Sequence, residues 1–230
     1  LPRPRRYKSS PLLSRLTWEI RPGERWALLG PNGAGKSTLL SLALADNPQA
    51  YCNDVELGGH RLGPGTSIWT IKRLVGWLSP ELEAHYPSDA TLLEVVESGF
   101  RASLGLHGEV SDAQRELALE ELRRLGLDAL RARPLGDVPA LARRLALLGR
   151  ALVTAPKLLL LDEPCQGLDE EDRLAFCRAL EHPLHEPSLA WVFVTHEEGE
   201  LPPSISHVLR LEAGRVLHVG PRGPSEPEPQ

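Results

Sequence analysis

The sequence contains no methionine, not even at its first position, and only three cysteines. Without an initiator, the 230 residues are expected to be a processed or trimmed chain, or a piece of a longer one. Cys52, Cys165 and Cys177 are far apart and odd in number, which argues against a metal knuckle or a disulfide framework and points to a reducing cytoplasm. No apolar run reaches the length needed to cross a bilayer, and the basic, proline-rich start LPRPRRYKSSP leads into no apolar segment of signal-peptide type. Neither sign of charge dominates: 26 basic against 31 acidic residues leave a net −5. That balance gives no global pull toward anionic lipid, and no direct nucleic-acid binding is expected. Aromatics are scarce at 5%, and no aromatic–basic stacking surface is evident. What remains is an ordinary globular composition, 41% hydrophobic and 25% charged, with length enough for one domain carrying an inserted lobe.

Hydrophobic patterning predicts an alternation of strands and helices. Leu12–Ile20 alternates apolar and polar residues over its last five positions, and Arg25–Leu29 is a short apolar strand entering a glycine-rich loop. Ser37–Ala45 is an apolar helix stopped by Asp46-Asn47-Pro48. Asn53–Gly65 is turn-rich and fits a small β layer, and Leu74–Leu78 is a further strand ended by Ser79-Pro80. Residues 81 to 149 read as helical, with a capping box at Ser111 and Gln114 and an apolar face of Ala118, Leu119, Leu122 and Leu125 before Gly126. Lys157–Leu161 and Ala190–Thr195 are buried strands flanking a helix at Arg173–Leu180. Val208–Leu211 and Val216–Val219 flank the best hairpin signal, and the last ten residues are expected to be a flexible tail.

Two segments carry chemistry. Gly30, Pro31, Asn32, Gly33, Ala34, Gly35, Lys36, Ser37 and Thr38 complete a phosphate-loop pattern between a strand and a helix. The glycines let backbone N–H groups converge on phosphate oxygens, Lys36 brings charge to the β/γ-phosphates, and the Ser37 hydroxyl is a Mg²⁺ ligand. The second segment, Leu158–Pro164, is an apolar strand ending in two carboxylates. Asp162 falls beside the metal, and Glu163 is placed to orient or deprotonate a water. His196, after the strand ending at Thr195, is either a γ-phosphate contact or a surface capping residue. Tyr7 either stacks on adenine or is simply exposed. Cys165 has no histidine spaced to activate it and reads as a small buried residue.

From about Leu12 to Val219 these residues resemble the ATP-binding cassette (ABC) family. GPNGAGKST at 30–38 resembles its Walker A motif, LLLLDEP at 158–164 its Walker B with catalytic glutamate, Cys165–Asp169 its D-loop and His196 its switch histidine. The resemblance implies a P-loop NTPase fold of the α/β class, with a RecA-like core, an antiparallel β subdomain and an inserted helical subdomain. It implies ATP and Mg²⁺ as ligands, Tyr7 as the adenine-stacking aromatic, and a second ABC nucleotide-binding domain as partner, either in a homodimer or as a tandem half. Residues 1–220 would form the domain, 81–143 the helical insert and 221–230 the tail. A cytoplasmic chain, peripheral to a membrane permease, is the implied setting. Ser67–Lys72 and the Gln-Gly-Leu-Asp ending resemble the tandem-domain ATP-binding proteins associated with molybdate transport, also described as photorepair proteins.

Two departures stand against the pattern. Pro80, or Ser79, occupies the place of the usual metal-contacting glutamine, and proline offers neither side-chain ligand nor N–H. The Leu-Ser-Gly-Gly-Gln signature is replaced by Val138–Ala142, with Arg143 and Arg144 as partial substitutes for its polar groups. Since that signature serves the site on the partner, the expectation is an ATPase working with a different, intact half. The alternative is a nucleotide-binding scaffold with little hydrolysis.

Overall fold

In the computed structural model, which describes residues 16–47, 50, 53–63, 66–101, 108–181 and 186–223, the apolar runs of the sequence build one mixed sheet. The strands are β1 (Arg25–Leu29), β2 (Glu56–Leu57), β3 (His60–Arg61), β4 (Val75–Leu78), β5 (Leu158–Asp162), β6 (Ala190–Thr195), β7 (His207–Glu212) and β8 (Arg215–Pro221). The helices are α1 (Lys36–Ala43), α2 (Ile68–Leu74), α3 (Pro80–Ala84), α4 (Leu92–Glu97), α5 (Asp112–Arg124), α6 (Ala140–Leu152) and α7 (Glu170–Leu180). The six-stranded order is β4-β5-β6-β1-β7-β8, parallel throughout except for the β7–β8 hairpin.

Central parallel strands are covered on both faces, so β5 and β6 are apolar without alternation. The period of two survives in which core each residue joins. Leu159 and Leu161 pack with α4, α5, α6 and α7, whereas Leu158 and Leu160 pack with Leu39 and Leu40 of α1. The β7–β8 turn is Ala213-Gly214, both with positive φ (46° and 75°), the twist that suits a two-residue hairpin.

The Leu12–Ile20 segment is described from Leu16 on, which takes in its alternating last five residues, and there the alternation is a burial pattern rather than a strand. Leu16, Trp18 and Ile20 pack on the β1 side of the core, while residues 16–20 join no ladder. Alternation reports which face is covered; a strand also needs a neighbouring edge for its N–H and C=O groups. The antiparallel layer expected around Asn53–Gly65 is the short β2–β3 hairpin.

Between β4 and β5 the chain forms the helical insert. Pro80 stands at the first position of α3, where its missing N–H costs nothing, and the Ser79 hydroxyl accepts the Leu82 N–H at 3.1 Å. Capping boxes start α4 (Thr91, Glu94) and α5 (Ser111, Gln114). Ala118, Leu122 and Leu125 are buried as expected, whereas Leu119 is half-buried. Gly126, at φ 72°, closes α5.

Candidate nucleotide-binding site

Strand register brings the chemistry to one edge of the sheet. Asp162 pairs with Val194 and Leu29 with Thr195, so Gly30, Glu163 and His196 all leave the carboxyl ends of three adjacent parallel strands. On the other side Leu78 pairs with Leu161, which brings Ser79, Pro80 and Glu81 to the same rim.

The loop after β1 is held by its own backbone. A side chain at Gly30 would put Cβ 2.3 Å from the Leu211 carbonyl oxygen, so only glycine fits beside β7. Ala34 N–H donates to Pro31 O (3.1 Å), and the hairpin turn braces the loop through Gly214 N–H to Ala34 O (3.1 Å). Gly35 caps α1 at φ 103°, which frees the first N–H groups of the helix toward the cleft. Lys36 is buried, and its Nζ donates to Gly30 O at 2.6 Å and Pro31 O at 3.4 Å.

Asn32, Gly33, Gly35, Lys36, Ser37, Thr38, Ser79, Pro80, Glu81, Asp162, Glu163 and Gln166 line a cleft of about 430 Å³. Gly30, Pro31 and Ala34 shape the loop from behind. Within the cleft Asp162 is raised from its ordinary value to about 6, first by burial, then by the Glu163 charge, with Lys36 opposing and Glu81 adding to the rise. Burial and two like charges make Asp162 a carboxylate in want of a cation. With the Ser37 hydroxyl on the same wall it offers the hard oxygen donors that Mg²⁺ takes, so the residues fit that ion.

Glu163 adopts φ 46°, a backbone conformation rare for a side-chain-bearing residue. Its carboxylate oxygens lie 3.1 and 3.0 Å from His196 Nδ1. A carboxylate only accepts, so Nδ1 carries the proton of this contact and Nε2 is turned away toward Glu197, 3.5 Å distant. His196 thus reaches the site through Glu163 rather than by lining the cleft. Tyr7 and Cys52 lie outside the described residues. Cys165 and Cys177 are buried together, and the hydrogen bond between the thiols pushes Cys165 up, as does burial. Asp169 caps α7 by accepting the Asp172 N–H at 2.9 Å.

Sequence reasoning missed Glu81 and underrated Ser79. The signal was the end of β4: whatever follows a parallel strand beside β5 arrives at this edge. A correction concerns Arg143 and Arg144, expected to replace in part the charge of the lost signature groups. Arg144 is buried and donates to Glu83, Pro164 O and Gln166 O; Arg143 donates to Glu83 and to Val138 O. All three guanidinium nitrogens of Arg144, and Nε and Nη1 of Arg143, are engaged within the chain.

The family model described as ABC transporter matches residues 13–166, more than half of the chain. The ABC transporter ATP-binding protein ModF of Escherichia coli (strain K12) is 43% identical over 90% of this chain, which covers 42% of that protein. The uncharacterized ABC transporter ATP-binding protein YlmA of Bacillus subtilis (strain 168) is 32% identical over 91% of this chain and 79% of its own length. The chain therefore spans less than half of ModF but most of YlmA. Among solved structures, cbiO1 of Clostridium perfringens, part of the ABC transporter complex cbiONQ, shares the fold with a TM-score of 0.79 at 23% identity, over 91% of this chain and 82% of that one. The ATP-binding cassette MJ0796, in a dimeric post-hydrolysis state with ADP and Pi, gives 0.74 at 22% identity over 94% and 95%. Motif, fold and relatives agree: this chain belongs to the ABC transporter family, as one of its ATP-binding domains.

Proposed function

We propose that this chain binds MgATP in the cleft after β1 and hydrolyses it when paired with a second nucleotide-binding domain. The observation that carries this is the convergence of Lys36, Ser37, Asp162 and Glu163 on one cleft, with His196 hydrogen-bonded to Glu163. Mg²⁺, when bound, supplies charge neutralisation for the β- and γ-phosphates. Ser37 and Asp162 hold it, the N–H groups of Gly33–Thr38 and Lys36 cradle the phosphates, and Tyr7 stacks on adenine. Glu163 orients the attacking water and accepts its proton, and His196 fixes the Glu163 carboxylate and, through it, responds to the γ-phosphate.

The domain takes in residues 1–220, with 81–143 as the helical insert. Its partner is a second ABC nucleotide-binding domain, and coupling to a membrane permease at the cytoplasmic face is the transport-associated reading that the relatives' names support. Among the described residues no helix is long and apolar enough to cross a membrane.

A second reading, a nucleotide-binding scaffold with little turnover, draws on one observation. Val138 and Ala142 are buried where the family signature would present serine and glycine to a partner, and Pro139 begins α6 without a side-chain cap. Steady-state phosphate release from MgATP, with Glu163→Gln as control, separates the two. Turnover that disappears in the variant supports the ATPase; binding without turnover in the presence of an intact second domain supports the scaffold.

A further inference from the structure

Glu163 sits at φ 46°, and such a conformation persists only where its surroundings hold it. Its N–H donates to Val194 O on β6 at 2.9 Å, and its own carbonyl accepts the Gln166 N–H at 3.1 Å. The carbonyls on the far side of this turn are held from α6. Arg144, on α6, donates from Nη1 to Pro164 O and from Nη2 to Gln166 O at 3.2 Å. Its Nε donates to Glu83 Oε2 on α3 at 2.8 Å, and Glu83 Oε1 accepts from Arg143 Nε at 3.2 Å. The Arg144 side chain is only 7% exposed. Each of the three guanidinium nitrogens therefore has a partner, and together they tie α3, α6 and the turn after β5 into one unit.

We propose that Arg144 is a positioning residue for Glu163, the planar fork that locks the turn at Pro164–Gln166 to α6 and α3 and so fixes where the Glu163 carboxylate points. The inference rests on the reading of Glu163 as the water-orienting group. It adds a consequence: any shift of α3 or α6 against the sheet passes through Arg144 to Glu163. Lysine cannot do this, because one ammonium on a flexible stem does not hold two carbonyls and a carboxylate in a plane. Arg144 bonds to no residue of the phosphate loop, so its replacement leaves the Lys36 and Ser37 side of the cleft in place.

The test is Arg144→Lys in the full chain, read by turnover and by amide hydrogen exchange. The expected result is a kcat lowered about 10- to 100-fold, since a small misplacement of a reacting group costs that much, with KM for MgATP within about twofold. Exchange should quicken about tenfold at the amides of Gln166 and Leu168, which bond to Glu163 O and Cys165 O, and not at Ala34 in the phosphate loop. Unchanged kcat, unchanged exchange at Gln166 and Leu168, or acceleration spread evenly over the whole chain would each overturn the proposal. If neither wild type nor variant releases phosphate, the hydrolytic reading fails on its own, and exchange at those two amides still decides the role of Arg144. If Arg144→Lys does not fold, Glu83→Gln carries the test, with the same two amides quickened severalfold; no change there overturns the proposal equally.

Discussion

Replacing Asp162 with Asn should make the nucleotide-free chain more stable at neutral and alkaline pH while removing its response to Mg²⁺. Burial, with the Glu163 and Glu81 charges behind it, raises Asp162 from 3.8 to about 6. At about 1.4 kcal/mol per pKa unit this corresponds to roughly 3 kcal/mol of unfavourable charge burial, reduced to about 1–2 kcal/mol once partial solvent access is allowed for. The raised folded value fixes the sign. Below the unfolded value near 3.8 the protonated group adds no penalty; as pH rises to about 6 the folded state must ionise a group that the unfolded state ionises more easily, and stability falls. Asn carries no charge, so its advantage over Asp should nearly vanish near about pH 3 and reach its full size near about pH 8. Urea denaturation at the two pH values measures this directly as a shift in midpoint with unchanged slope. Saturating MgADP should then reverse the order, because a ligand at about 100 times its Kd adds about 2.7 kcal/mol to wild type and less to the variant. A variant less stable than wild type at high pH without nucleotide, or a difference equal at both pH values, would refute the reasoning.

Other expectations follow from single contacts. His196→Ala removes the Nδ1–H that holds the Glu163 carboxylate. Phosphate release should fall about 100-fold with nucleotide affinity changed less than about threefold, and an equal loss of both would place His196 in binding instead. Gly30→Ala drives Cβ against Leu211 O, so thermal or urea unfolding should show a loss of about 2–3 kcal/mol, and a silent substitution would mean that β7 yields freely. MgADP affinity should also weaken as pH drops through about 6, where Asp162 takes up its proton, whereas metal-free ADP affinity should not; titrations on either side of that value compare the two.

Much of the fold was legible because its central strands are unusually plain. Leu158–Leu161 and Trp191–Thr195 are buried on both faces, and each ends at the carboxylate or histidine that marks the sheet's functional edge. The hairpin at Glu212–Arg215 was legible for a different reason: Ala213-Gly214 needs two positive φ values, and glycine advertises one of them. Less legible were features that depend on which elements meet. The alternation at Leu16–Ile20 signals a covered face, but no local pattern says whether an edge is there to pair with. Arg143 and Arg144 read as partial substitutes for the lost signature, because the sequence does not reveal that Glu83, Pro164 and Gln166 bond to them from about 20 to 60 residues away. Glu81 carries no local motif of its own; only the register of β4 against β5 brings it, with Pro80, to the cleft.

The measurement closest to the central claim is a calorimetric titration of ATP into this chain, with Mg²⁺ and with a chelator, repeated on Lys36→Ala. If Lys36, Ser37 and Asp162 hold a metal-bound nucleotide, wild type takes one nucleotide per chain, about tenfold more tightly with Mg²⁺, and Lys36→Ala loses at least about tenfold in affinity. Equal affinity with and without Mg²⁺, or a Lys36→Ala chain that binds as well as wild type, would contradict the site described above.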